Sequence, residues 1–160
     1  MHSGERIVRE RLDSLGISYE SYEHPPIATA EAGVTYWAGI DAAHCKNLFL
    51  RNQRGDRHYL VIVDFRKRVD LRALAGEIGD GKLSFASPER MLKYLGVSPG
   101  SVSPFGLIAD HERHVRVFID RDLRDAARIS FHPNINTATF VVLYPDFERF
   151  LVALGEVLGR

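Results

Sequence analysis

The amino-acid sequence predicts a mixed α/β (α+β) fold in one domain over residues 1–160, on three observations. Helical periodicity marks both ends of the chain, two apolar runs around a polar turn mark a central hairpin, and short strands and helices fill the rest. The length of 160 residues lies within the ~100–200 typical of one domain. From Glu5 to Leu15, Ile7, Val8, Leu12 and Leu15 share a helical face, and Gly16 supplies a stop. Ile17 to Glu23 reads as a short strand ended by His24-Pro25-Pro26. Thr29 is the expected N-cap of a helix through Trp37, with Gly39 closing it.

Asn47–Arg51 and His58–Asp64 read as the hairpin, turning through Asn52-Gln53-Arg54-Gly55-Asp56. On its first strand Lys46, Leu48 and Leu50 share one face, and Asn47, Phe49 and Arg51 the other. Leu71–Ile78 is a helix and Lys82–Ser84 a short strand. Ser87 at N-cap and Pro88 at N1 open the next helix, which Gly96 ends. A Gly/Ser/Pro-rich loop, Gly96–Gly106, follows. Strands are expected at Leu107–Ala109, His114–Ile119, Arg128–Phe131 and Ala138–Leu143, then a final helix from Pro145 to about Leu154.

Composition limits the function. Lys+Arg and Asp+Glu are both 21, for a net charge of zero, which argues against holding nucleic acid chiefly by bulk positive charge. A local basic rim for a transient nucleic-acid substrate is still compatible with that balance. One cysteine cannot form an internal disulfide. The charged N-terminus lacks the apolar core of a secretory signal, and no apolar run approaches the ~20 residues of a membrane span. A cytoplasmic protein is expected.

Several patterns suggest chemistry and do not sustain it. Cys45 and His44 are adjacent on an extended segment and so point to opposite faces. A base elsewhere, such as His132, could activate the thiol, but a lone cysteine is more often a packed hydrophobe. His111 and His114 have no convincing third ligand for zinc. The glycines of Gly76–Lys82 are in the wrong order for a phosphate loop.

Three features carry more. Lys46-Asn47 stands where an apolar strand begins, pairing a mobile cation for phosphate or ribose with a donor–acceptor amide; a surface lysine capping a strand is the other reading. The loop Gly100-Ser101-Val102-Ser103-Pro104 has a glycine able to take positive φ and backbone N–H groups able to polarise a carbonyl; it could equally be a connector. His132, before Pro133, lies at a strand end with a restricted backbone, as a catalytic or a structural group.

In this order, Lys46-Asn47-Leu48-Phe49-Leu50, the G-x-x-x-P loop at Gly100–Pro104, and Phe131-His132-Pro133-Asn134 with Asn136-Thr137-Ala138 resemble the aminoacyl-tRNA editing domain family. The resemblance runs from His24 to the last helix and is greatest to free-standing Ala-tRNA(Pro) deacylases related to the insertion domain of bacterial prolyl-tRNA synthetases. It implies a curved mixed sheet surrounded by helices, and hydrolysis of the ester joining a mischarged amino acid to the tRNA 3′-terminal adenosine. It also implies a catalytic set of Lys46, Gly100 and His132, with Lys46 on the sugar–phosphate, Gly100 and its loop presenting backbone groups to the ester and His132 helping to define the aminoacyl pocket, and it implies that Asn47 helps position the substrate. Substrate contacts are further expected from Ile27, Ala28, Thr29, Ser101, Ser103 and Pro104. No cofactor or metal is implied. The expected partner is aminoacyl-tRNA, engaged in trans through its 3′ end and acceptor stem, with prolyl-tRNA synthetase a candidate associate. Two alternatives stand beside this one: release of cysteine or another small amino acid, and a non-catalytic tRNA-end-binding module.

Overall fold

A computed structural model of the chain describes residues 3–27, 30–156 and 158–159. Its elements in chain order are α1 (Ser3–Ser14), β1 (Glu20–Glu23), α2 (Ala30–Trp37), β2 (Ala43–Asn52), β3 (His58–Asp64), α3 (Leu71–Ile78), β4 (Leu83–Phe85), α4 (Pro88–Leu95), β5 (Val115–Ile119), β6 (Arg128–Phe131), β7 (Ala138–Leu143), α5 (Tyr144–Ala153) and β8 (Leu158–Gly159). Short 3₁₀ helices occupy Pro104–Ala109 and Arg121–Asp125. The strands form one mixed sheet in the order β1-β7-β6-β2-β3-β5-β8, with β4 added beside β2.

The hairpin forms where the alternation places it. Cys45 pairs with Asp64 and Arg51 with His58, and the Asn52 side chain fastens the turn by accepting from the Asp56 and Arg57 N–H groups. β3 is apolar almost throughout because both of its faces are covered, as strands with helices on either side require. Leu60 and Ile62 join the main core with Phe49, Val117, Phe147 and Phe150. Tyr59, Val61 and Val63 join a second core with Leu50, Ala75 and Leu83, under α3.

Local signals hold in α3 and α4. Asp70 accepts from the Arg72 and Ala73 N–H groups at the start of α3. Ser87 caps α4, and Gly96 ends it at φ 67°.

Other expectations change. Val8 and Leu12 of α1 are buried, but Ile7 is 48% exposed, so the buried stripe is narrower than the sequence pattern. Leu107–Ala109, expected as a strand, belongs to the 3₁₀ helix that Ser103 caps and Pro104 begins; Leu107 and Ile108 are buried in that helix. β1 is shorter than Ile17–Glu23, and β8 is an addition that pairs in parallel with β5. The expected N-cap Thr29 lies outside the described residues.

Candidate functional site

β2 has two edges, and only one is fully paired. Along one edge it meets β3 from Cys45 to Arg51. Along the other it pairs with β6 at Ala43 and His44, and with β4 at Leu50–Asn52. Cys45 to Phe49 therefore border a gap between β6 and β4. The His44 carbonyl accepts from the Phe65 N–H, which fixes even-numbered residues as those exchanging backbone bonds with β3. The same alternation turns the backbone N–H and C=O of Asn47 into the gap.

A cleft of about 530 Å³ opens there. Ile27 and Trp37 close one side, and Met91 of α4 closes another. Pro99, Gly100 and Val102 reach in from the loop, and His132 from the end of β6. The structure thus brings Ile27, Lys46, Asn47, Gly100 and His132 to one cavity. A larger cleft of about 810 Å³ lies under α3, between Val61, Val63 and Phe118, and contains none of these residues.

The expected rim position of Lys46-Asn47 is observed, for a different reason. The pair is inside a strand that starts at Ala43, and the open edge, not a strand terminus, makes it accessible. Lys46 Nζ donates to the Lys67 carbonyl at 2.5 Å. Asn47 lies on the opposite face, and its Oδ1 is buried with no hydrogen-bond partner. The buried Trp37 Nε1 is likewise unpartnered. Such atoms cost stability when left unpaired, about 1–3 kcal/mol each.

Gly100 has φ 87°, in the left-handed region that favours glycine. It occupies a turn in which the Ser101 N–H donates to the Ser98 carbonyl. The other loop residues expected to touch substrate do something else. Ser101 and Ser103 are buried, Ser103 Oγ accepts from the Phe105 N–H, and Pro104 starts the 3₁₀ helix. None of these three lines the cleft; they fix the loop that presents Gly100, and Val102 takes the lining position. Ala28 and Thr29 lie outside the described residues.

His132 Nδ1 is 2.9 Å from the Ala138 carbonyl. A carbonyl only accepts, so Nδ1 carries the proton and Nε2 is left as an acceptor. Burial pushes the His132 pKa down, and His24, its ring 5.9 Å away, pushes the same way. The imidazole is neutral at pH 7.

Cys45 borders the cleft, but His44 is held elsewhere and does not serve it as a base. His44 Nε2 is 3.2 Å from the Ile40 carbonyl, its Nδ1 is 2.6 Å from Ser130 Oγ, and its ring stacks on Trp37 at 4.9 Å. Burial pushes the Cys45 thiol pKa well up, keeping it protonated. His114 is held too, its Nε2 accepting from His58 Nδ1 at 2.8 Å.

Sequence reasoning missed Trp37, Leu48, Phe49, Phe85, Met91, Pro99 and Val102 as cleft residues. Only Trp37 had a local signal. Gly33 stands one turn earlier, and a Cβ there would lie 2.6 Å from the indole ring.

The aminoacyl-tRNA editing domain model matches residues 24–150, a span containing every residue of the cleft. The chain belongs to the aminoacyl-tRNA editing domain family. It is 41% identical to the prolyl-tRNA editing protein ProX of Acetoanaerobium sticklandii over 150 residues, covering 91% of this chain and 89% of that protein. It is 32% identical to the mouse (Mus musculus) prolyl-tRNA synthetase associated domain-containing protein 1, covering 93% of this chain and 90% of that one. A solved structure described as a candidate trans-editing enzyme for prolyl tRNA synthetase superposes with a TM-score of 0.74 at 21% identity, over 99% of this chain and 96% of that one. At that identity the superposition establishes the mixed α/β editing fold. Among the described residues, no helix is long and apolar enough to cross a membrane.

Proposed function

We propose that this editing-family chain is a trans-acting deacylase of mischarged tRNA(Pro), with alanine as its principal amino acid. The observation that supports it most is the convergence of Lys46, Asn47, Gly100 and His132 on one cleft at an open sheet edge. Water adds to the ester carbonyl, the bond to the ribose oxygen breaks, and the products are free amino acid and tRNA with both terminal hydroxyls restored.

Each residue has a role in this reading. Lys46 takes the sugar–phosphate of the terminal adenosine from the rim. It now gives one donor to Lys67, and an ammonium has three. Asn47 turns its backbone N–H and C=O into the gap, toward the substrate. The Gly100 turn presents backbone N–H groups to the carbonyl, where developing negative charge is stabilised most. His132 Nε2 accepts a hydrogen bond from the attacking water or the neighbouring ribose hydroxyl. An aminoacyl ester is already activated, so orientation and polarisation suffice without a side-chain nucleophile.

Specificity is a matter of size. A site built for proline cannot strongly reject alanine, since a missing methylene is worth only ~1–3 kcal/mol. A second, smaller pocket can. Ile27, Trp37 and Val102 wall the cleft with apolar surface, which matches a methyl side chain. The test presents Ala-, Cys-, Ser- and Pro-tRNA(Pro) to the purified protein. Ala-tRNA(Pro) should be deacylated fastest and Pro-tRNA(Pro) spared. Preferred release of cysteine would reassign the amino acid, and tight retention of all four without turnover would make the protein a binder.

A further inference from the structure

The cleft has a second face. In β2–β4 pairing Leu50 stands opposite Phe85, so Phe85 projects on the same side of the sheet as Leu50, and by alternation as Leu48 and Lys46. Leu83, two residues before Phe85, confirms this side by packing into the α3 core with Leu50. Asn47 and Phe49 point the other way. The open edge of β2 therefore joins an inner wall bearing Asn47 and His132 to an outer ledge bearing Lys46, Leu48 and Phe85, and all five line one cleft.

Phe85 is 61% exposed, whereas Phe49, Phe105, Phe131, Phe140, Phe147 and Phe150 are all buried. Among the described residues, it is the one exposed large hydrophobic side chain that lines this cleft. An aromatic face on the same ledge as an aliphatic side chain and a lysine matches a nucleotide of a single strand: a flat base for the ring and a phosphate for the cation.

We propose that Phe85 is the stacking platform for the terminal nucleobase of the tRNA 3′ end, with Leu48 extending it and Lys46 taking the adjoining phosphate. This rests on the reading of the cleft as an aminoacyl-tRNA site and adds the residue that positions the base. Stacking holds the adenosine on the ledge while its ester crosses the open edge to Gly100 and His132. The platform is tolerant of base identity, because every base has a π-face, so sequence discrimination must come from elsewhere in the tRNA.

Two readouts test it. In steady-state deacylation of Ala-tRNA(Pro), Phe85→Ala should raise KM roughly 5- to 150-fold with kcat nearly unchanged. Phe85→Tyr and Phe85→Trp should restore KM, and Phe85→Leu, which keeps apolar bulk without a π-face, should not. Binding is read separately with an uncharged CCA-ending RNA minihelix carrying 2-aminopurine as its terminal base. The wild-type protein should quench its fluorescence on binding and Phe85→Ala should not. This second experiment needs no turnover, so it stands even if the deacylase reading fails. Full activity in Phe85→Leu, or equal quenching by wild type and Phe85→Ala, would overturn the proposal. So would light scattering showing a dimer that Phe85→Ala dissolves, because the ledge would then be a contact between copies.

Discussion

His132 Nδ1 donates to the Ala138 carbonyl across 2.9 Å, and this one contact sets the polarity of the imidazole in the cleft. With the proton fixed on Nδ1, Nε2 can only accept while the ring is neutral.

The first prediction concerns pH. Burial lowers the His132 pKa below its ordinary 6.5, so the ring stays neutral from alkaline pH down past 6.5 and charges only in more acidic solution. The ratio of wild-type to His132→Ala kcat/KM should be flat from pH 8 to 6.5 and fall only below. A midpoint above 6.5 would show that the protonated ring is not what switches the site off.

A second prediction concerns stability. His58 is fully buried, with its Nε2 2.9 Å from Arg90 on α4 and its Nδ1 2.8 Å from His114, just before β5. Tyr94 packs on the ring, and Arg51 and Lys93 add positive charge. Burial first, then His114 and these cations, lower its pKa from 6.5 to about 4. The unfolded chain therefore binds this proton more readily than the folded one. The associated stability is whole above pH 6.5 and is lost as pH falls toward 4, by the order of 3 kcal/mol. Urea midpoints at pH 7.5, 6 and 5 should fall accordingly, and His58→Phe should flatten the slope. A wild-type midpoint constant over that range would contradict the assignment.

Gly100 and Gly96 give a matched pair. Both have positive φ, 87° and 67°, so alanine at either should cost roughly 1–2 kcal/mol of stability. Gly96 ends α4, where an added Cβ meets only Ala109 at 3.6 Å. Thermal melts should show similar losses for Gly96→Ala and Gly100→Ala, while Ala-tRNA(Pro) deacylation collapses only in the second. Equal activity in the two would remove Gly100 from the site.

Trp37 is the only tryptophan in the chain, which makes the cleft wall observable. Its ring stacks on His44 and crosses Phe65 at 5.5 Å. Gly33→Ala would place a methyl within 2.6 Å of that ring, so the indole must move. A red-shifted emission and a weakened kcat/KM are expected together. An unchanged spectrum would mean the helix absorbs the methyl without moving Trp37.

Much of this was legible in the sequence where the signals are local. The hairpin, the Ser87-Pro88 start and Gly96 end of α4, and α3 all follow from caps, turns and alternation over a few residues. What failed depended on distant partners. β8 exists through pairing with β5, and Leu107–Ala109 is helical because Ser103 and Pro104 begin a buried turn. For the site, Lys46, Gly100 and His132 were named through family resemblance, since residue types alone left each ambiguous. Ser101 and Ser103 were misplaced because a polar loop residue looks the same whether it faces a ligand or caps its own backbone. Phe85 carried no signal: its exposure follows from its register against Leu50 and the gap beside it.

The central claim is that a positioned ester meets water in this cleft without a protein nucleophile. The most direct measurement is the initial rate of Ala-tRNA(Pro) deacylation by wild type, Lys46→Ala and Cys45→Ala, each shown to be folded. The account predicts that Lys46→Ala loses most of the activity and Cys45→Ala keeps it. An inactive Cys45→Ala beside an active Lys46→Ala would contradict it and restore a thiol mechanism.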